Sequence, residues 1–138
     1  MAAGTLSSDF EDVVESLVAA MKHGDPRDHA LVASDLRVRC VELHSYIPGG
    51  GLMDSDHRDS GSSLTMSVAL TDPATLSGGE FLTYKDDHEA VTHRLERGSA
   101  ILFRSEDLHN VAVVKGGLRQ TLVIELWTGK ANRVDRNR

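Results

Sequence analysis

Two histidines and one carboxylate carry the chemistry this chain could do. His57 and Asp59 stand two apart in His57-Arg58-Asp59, and His109 follows about fifty residues later. Two imidazoles and a carboxylate form a ligand set for iron(II), filling three corners of an octahedron and leaving three open. Ten positions beyond His109 stands Arg119. Its planar guanidinium suits bidentate capture of a carboxylate and stays charged at any working pH. A metal with a nearby arginine is what a dicarboxylate co-substrate requires.

The triplet alone carries little weight. With seven histidines in this length of chain, roughly 0.7 His-x-Asp triplets arise by chance, and a second copy does occur at His23-Gly24-Asp25. That copy sits among helix stop signals and reads as capping. The His57 copy differs in context. It lies at the end of a candidate strand, between a glycine-rich turn and a polar loop. On an extended chain, residues two apart point to the same side, so His57 and Asp59 can take adjacent corners of one metal. His109 opens a candidate strand that can run alongside.

Strand-rich sequence must position these residues, with a helix in front of it. Phe10, Val13, Val14, Leu17, Val18 and Met21 recur at helical spacing and predict one buried face. Ser8 and Glu11 form a capping box, and a shorter helix is expected over Asp28 to Ser34. From Arg37 the pattern becomes extended, through Leu43 to Tyr46, before the breaker Pro48-Gly49-Gly50-Gly51. Ser63 to Leu70 alternates cleanly, with Leu64, Met66, Val68 and Leu70 on one face and Ser63, Thr65, Ser67 and Ala69 on the other. Further strands are expected at Glu80–Tyr84, Ala90–Leu95, Ser99–Phe103, Asn110–Val114 and Gln120–Trp127. About eight short strands behind a helix predict a mainly β fold, a sandwich or barrel with helical backing.

Composition narrows the function classes. The chain has 138 residues and a formal charge of −6, and its last nine residues hold four basic groups and one acid, leaving −9 for the rest. Such a body repels a phosphate backbone and argues against nucleic acid as partner. The single cysteine, Cys40, has no partner for an internal disulfide. No apolar run reaches membrane-spanning length and no secretory leader is evident. These features predict a soluble protein of a reducing compartment, the cytoplasm or nucleus.

Taken together, Tyr46, His57-Arg58-Asp59, the strand Leu64 to Leu70, Gly78-Gly79-Glu80-Phe81, Gly98-Ser99-Ala100-Ile101-Leu102-Phe103, His109, Gly117-Leu118-Arg119 and Trp127 resemble the catalytic domain of the 2-oxoglutarate/Fe(II)-dependent dioxygenases. Within that superfamily they are most similar to the prolyl/lysyl hydroxylase branch. The match runs over roughly residues 38–127, and its strength lies in the order of pieces that are weak singly.

The resemblance implies a double-stranded β-helix (jelly roll) with an N-terminal helix, iron on His57, Asp59 and His109, and the distal carboxylate of 2-oxoglutarate on Arg119. Tyr46 matches a tyrosine that often contacts 2-oxoglutarate. A second tyrosine found in some members is replaced here by Ala69, and Thr121, two residues beyond Arg119 on one strand face, is the candidate helper. The implied cofactors are Fe(II), 2-oxoglutarate and O2, with ascorbate admitted as a reductant. The implied reaction is hydroxylation of a C–H bond, with 2-oxoglutarate decarboxylated to succinate and CO2. Asp59 favours hydroxylation over halogenation. The family-based substrate is a prolyl or lysyl residue of a peptide. A free amino acid or other small molecule is the rival, and a cupin-like, non-catalytic jelly roll is the alternative outside catalysis.

On this reading, residues 1–130 form one domain, with helical support over 8–36 and the jelly roll over 37–128, and 131–138 form a basic tail. The short chain leaves room for a partner subunit or an oligomer. His44, His88 and His93 are expected on the surface or in loops, and Cys40, Phe103 and Trp127 in the core. Glu125 shares a strand face with Arg119 and Thr121, without an assigned role. Asp54 to Asp59 has the flavour of a calcium loop, but it lacks the glycine at the sixth position and the closing glutamate.

Overall fold

The computed structural model describes residues 8–24, 35–86 and 88–132. Its helix, α1 (Ser8–His23), has Asp9 and Glu11 in the first turn and Lys22 and His23 in the last, matching the helix dipole at both ends. Val14 and Met21 are fully buried, with Phe10, Leu17 and Val18 packed beside them. Val13 departs from the expected face: it is 50 % exposed, because the stripe runs Phe10, Val14, Leu17, Val18, Met21 and leaves Val13 at its edge. The side chain of Ser8, and with it the capping box, lies outside the described residues, as do the second helix expected over 28–34 and the tail beyond 132. No described helix is long and apolar enough to cross a membrane.

Among the described residues nine strands follow: β1 (Arg37–Tyr46), β2 (Leu64–Ala69), β3 (Ser77–Gly78), β4 (Phe81–Lys85), β5 (Glu89–His93), β6 (Ala100–Arg104), β7 (His109–Val111), β8 (Val114–Gly116) and β9 (Arg119–Trp127). They form a four-stranded sheet in the order β1-β9-β2-β6, a three-stranded sheet β5-β4-β7 and a ribbon β3-β8. Every pairing is antiparallel. The described residues form a jelly roll backed by α1.

Two departures bear on the site. The strand expected over Asn110–Val114 is split at Ala112-Val113, because the chain leaves β4 and crosses to the ribbon, where β8 pairs with β3. His57 does not end a strand either. Residues 53–63 form an irregular loop, entered by a single bridge between Leu52 and Val111.

Both faces of the large sheet are covered. Leu64, Met66 and Val68 of β2, with Leu122, Ile124 and Leu126 of β9, pack against Val14 and Met21 of the helix. Each such side chain contributes about 1.5–3 kcal/mol of burial. Alternation sends their neighbours, Thr65 and Ser67 on β2 and Thr121 and Val123 on β9, to the other face, where they line a cavity between the sheets. Leu70, expected to continue the buried row, lies past the end of β2 and is 41 % exposed.

Candidate functional site

The cavity has a volume of about 260 Å³, and its wall includes His57, Asp59, His109, Tyr46, Arg119 and Thr121. All six residues singled out in the sequence therefore meet in one place. His57 and Asp59 come from the irregular loop, His109 opens β7, Tyr46 closes β1, and Arg119 and Thr121 begin β9. Register explains the second group: Tyr46 pairs with Arg119 across the β1–β9 ladder, and His44 with Thr121.

One donor atom from each of His57, Asp59 and His109 lies within 4.8 Å of the others. His57 Nε2 is 3.4 Å from Asp59 Oδ1, and His109 Nε2 is 3.4 Å from Asp59 Oδ2. Two imidazole nitrogens and a carboxylate gathered this closely are a donor set that suits iron(II). The outer contacts prepare the same donors. His109 Nδ1 is 2.9 Å from the carbonyl oxygen of Asp107. A carbonyl can only accept, so Nδ1 donates to it and Nε2 is the nitrogen left facing Asp59. The His109 ring packs on Phe103 and Phe81, at centroid distances of 4.6 and 5.7 Å, and those two rings also meet each other at 5.4 Å.

Asp59 is buried, and its Oδ2 accepts a 2.8 Å bond from the Thr65 hydroxyl, which also meets Ser105 Oγ at 2.8 Å. Its backbone N–H donates to the carbonyl of Ser105. The loop is fastened at its front by Asn110, whose Nδ2 donates to the carbonyl of Asp54 while its Oδ1 accepts from Tyr84. An irregular segment can hold ligands in place when it is tied this way.

At the other end of the cavity, Arg119 is buried, and Nε donates to the carbonyl of Gly79 at 2.8 Å. Its guanidinium carbon sits 5.6 Å from the centre of the Tyr46 ring. Among the described residues it forms no ion pair with a carboxylate. Burial pushes the Arg119 pKa down and the nearby Tyr46 hydroxyl counters this, yet a guanidinium remains charged under ordinary conditions. A desolvated cation facing a cavity is a site for an anion.

Sequence reasoning missed two wall residues. His44, expected at the surface, lines the cavity together with Glu42, and its Nε2 lies 2.8 Å from Glu42 Oε2. The signal was present: 42, 44 and 46 alternate along β1, so whatever face Tyr46 takes, they share. His93 is also half-buried, beside Thr83 Oγ1, whereas His88 is exposed as expected. Cys40 and Phe103 are buried. Trp127, expected in the core, is only partly covered, because it ends β9 under the guanidinium of Arg39.

No family model matches the chain. In sequence, 95 of its residues are 34 % identical to a PKHD-type hydroxylase of Prochlorococcus marinus (strain NATL1A). That alignment covers 68 % of this chain and 41 % of the relative, so the chain spans about two fifths of that protein's length. In fold it resembles a prolyl 4-hydroxylase from Phytophthora capsici, with a TM-score of 0.58 at 23 % identity over 85 % of this chain and 41 % of that one. It also resembles the viral collagen prolyl hydroxylase of Paramecium Bursaria Chlorella virus-1, solved with 2OG, with a TM-score of 0.57 at 18 % identity over 88 % of this chain and 72 % of that one.

Proposed function

We infer that this chain, which has the fold of the 2-oxoglutarate/Fe(II)-dependent oxygenase superfamily and resembles a hydroxylase in sequence, is the catalytic core of a 2-oxoglutarate-dependent hydroxylase. One observation carries the reading. A two-histidine, one-carboxylate donor set closes within 4.8 Å in the same cavity as a buried arginine that has no carboxylate partner among the described residues.

In the assigned roles, His57, Asp59 and His109 would hold iron(II) through Nε2, a carboxylate oxygen and Nε2. When bound, the metal supplies activation of O2, coupling decarboxylation of 2-oxoglutarate to succinate and CO2 with hydroxylation of a C–H bond. Arg119 takes the distal carboxylate of 2-oxoglutarate through its free N–H groups, Nε being committed to Gly79. Tyr46 covers the guanidinium, and Thr121, on the same wall, offers a hydroxyl to the same carboxylate. Leu52, Phe81, Phe103, Val111 and Val123 form the apolar part of the wall and keep water from the reacting end.

For the substrate we propose a prolyl or lysyl residue of a peptide. Ile47, Met53 and Val113 are 68, 59 and 45 % exposed around the loop that carries Leu52 into the cavity. Exposed apolar side chains beside a site favour a ligand extending beyond the pocket. The test is anaerobic titration with Fe(II) and 2-oxoglutarate, followed by a succinate-release screen across peptides and free amino acids. His57→Ala and Arg119→Ala serve as controls. Full turnover in either control overturns the site assignment, and turnover with free amino acids alone overturns the peptide substrate.

A further inference from the structure

Behind the metal loop lies a buried charged cluster that the proposed reaction does not use. Glu125, on the cavity-side row of β9, is fully buried. Its Oε2 accepts a 2.5 Å bond from Ser62 Oγ and lies 3.8 Å from Arg39 Nη1. That Nη1 is 2.8 Å from Ser62 Oγ and donates to the carbonyl of Ser60 at 3.0 Å. The guanidinium rests 5.0 Å from the Trp127 ring centre. Between the two serines, Gly61 has a φ of +90°, and a Cβ there would meet Arg39 Nη1 at 3.1 Å.

These contacts converge on the three residues that follow Asp59. Ser62 N–H in turn donates to the carbonyl of Asp59 itself. Glu125 also pairs in register with Thr65, the residue that bonds the Asp59 carboxylate. A buried ion pair is a poor device for stability, since apolar replacements of similar volume are often as stable or more so. This one even leaves Arg39 Nε buried without a hydrogen-bond partner. Its bonds reach a loop rather than completing the sheet, which is the arrangement of a positioning element.

Resting on the iron reading above, we propose that Arg39, Glu125 and Ser62 are positioning residues, a latch that holds the 60–62 turn and thereby sets the aim of Asp59 and the metal affinity of the site. The test pairs metal binding with fold stability. Anaerobic Co(II) titration by visible absorbance gives the dissociation constant, and thermal melting of the metal-free protein gives stability. Emission of Trp127, the single tryptophan, reports directly on the Arg39 stack.

Ser62→Ala and the double variant Arg39→Met/Glu125→Leu are expected to weaken Co(II) binding about tenfold, as loss of outer contacts does. The double variant should melt at or above the wild-type temperature. Glu125→Gln keeps an acceptor for Ser62 and is expected to restore most of the affinity. Unchanged Co(II) affinity in Ser62→Ala and in the double variant overturns the latch. A double variant that fails to fold also overturns it, by making the pair structural. Wild-type protein that binds no Co(II) would instead sink the iron reading and the latch with it.

Discussion

Replacing Arg119 by methionine should separate what the residue does for the fold from what it does for a ligand. In the structure its charge is desolvated and compensated by one bond to the Gly79 carbonyl and the face of Tyr46. A charged hydrogen bond is worth about 1.5–3 kcal/mol and a cation over an aromatic ring about 0.5–2 kcal/mol. Burying the cation costs several kcal/mol, so the terms nearly cancel. Arg119→Met should therefore leave stability within about 1 kcal/mol of wild type, a shift of about 4 °C in Tm. Binding behaves differently. Losing two charge-assisted bonds to a carboxylate removes about 3 kcal/mol or more, on the order of a hundredfold in Kd. Calorimetric titration of 2-oxoglutarate into Mn(II)-loaded protein under anaerobic conditions measures the second effect, and a thermal scan of metal-free protein the first. Arg119→Lys keeps the charge without the fork and should fall between. Wild-type affinity in Arg119→Met would refute the co-substrate role. A loss of several kcal/mol in stability would show that the arginine serves the fold.

Mn(II) or Co(II) at about a hundred times its Kd should stabilise the wild-type protein by about 2.7 kcal/mol, seen as a rise in Tm that Asp59→Ala abolishes. Thr65→Val removes the hydroxyl that bonds Asp59 Oδ2 and should weaken metal binding about tenfold with little change in Tm. Equal metal affinity by titration would count against an orienting role for Thr65. Val14→Ala, at the buried centre of the helix face, should cost about 1–3 kcal/mol in a denaturant melt while leaving metal affinity unchanged.

The sequence was most legible where one periodicity ruled. Ser63 to Leu70 alternates so cleanly that both faces of β2 were readable, and the observed strand differs only by one residue at each end. The helix was readable because its apolar residues recur at 3.6-residue spacing, although Val13 shows that a stripe's edge cannot be told from its centre without the partner surface. The stretch around His57 reads as a strand end running into a polar loop, since its Asp, Ser and Gly residues mark turns without fixing where those turns sit. Its turns are local, with Asp56 N–H on Asp54 Oδ1 and Ser62 N–H on the Asp59 carbonyl, but its placement is set by Asn110, Ser105 and Glu125, from 46 to 63 positions away in the chain for the bonds to Asp54, Asp59 and Ser62. Long-range bonds of this kind leave no local trace. The split of Asn110–Val114 has the same cause, since a change of sheet depends on where β3 and β4 lie. His44 and Glu42 were within reach of pattern reasoning, because they alternate with Tyr46.

The interior itself is divided by that alternation. β2 and β9 each give one row to the helix-backed core and the other to the cavity, and the cavity row is largely polar: Thr65 and Ser67 on one strand, Arg119, Thr121 and Glu125 on the other. That polar row adds little by burial, because its groups exchange water only for one another. The net driving force must come from the apolar row under α1, helped by the smaller cluster of Phe81, Phe103 and Val111. Stability and site chemistry are thereby assigned to opposite faces of the same two strands. Ile124 and Glu125 are adjacent in the chain, yet a change at the first should move the melting temperature and a change at the second the metal affinity. Such a separation lets ligand residues be tuned without dismantling the sheet that carries them.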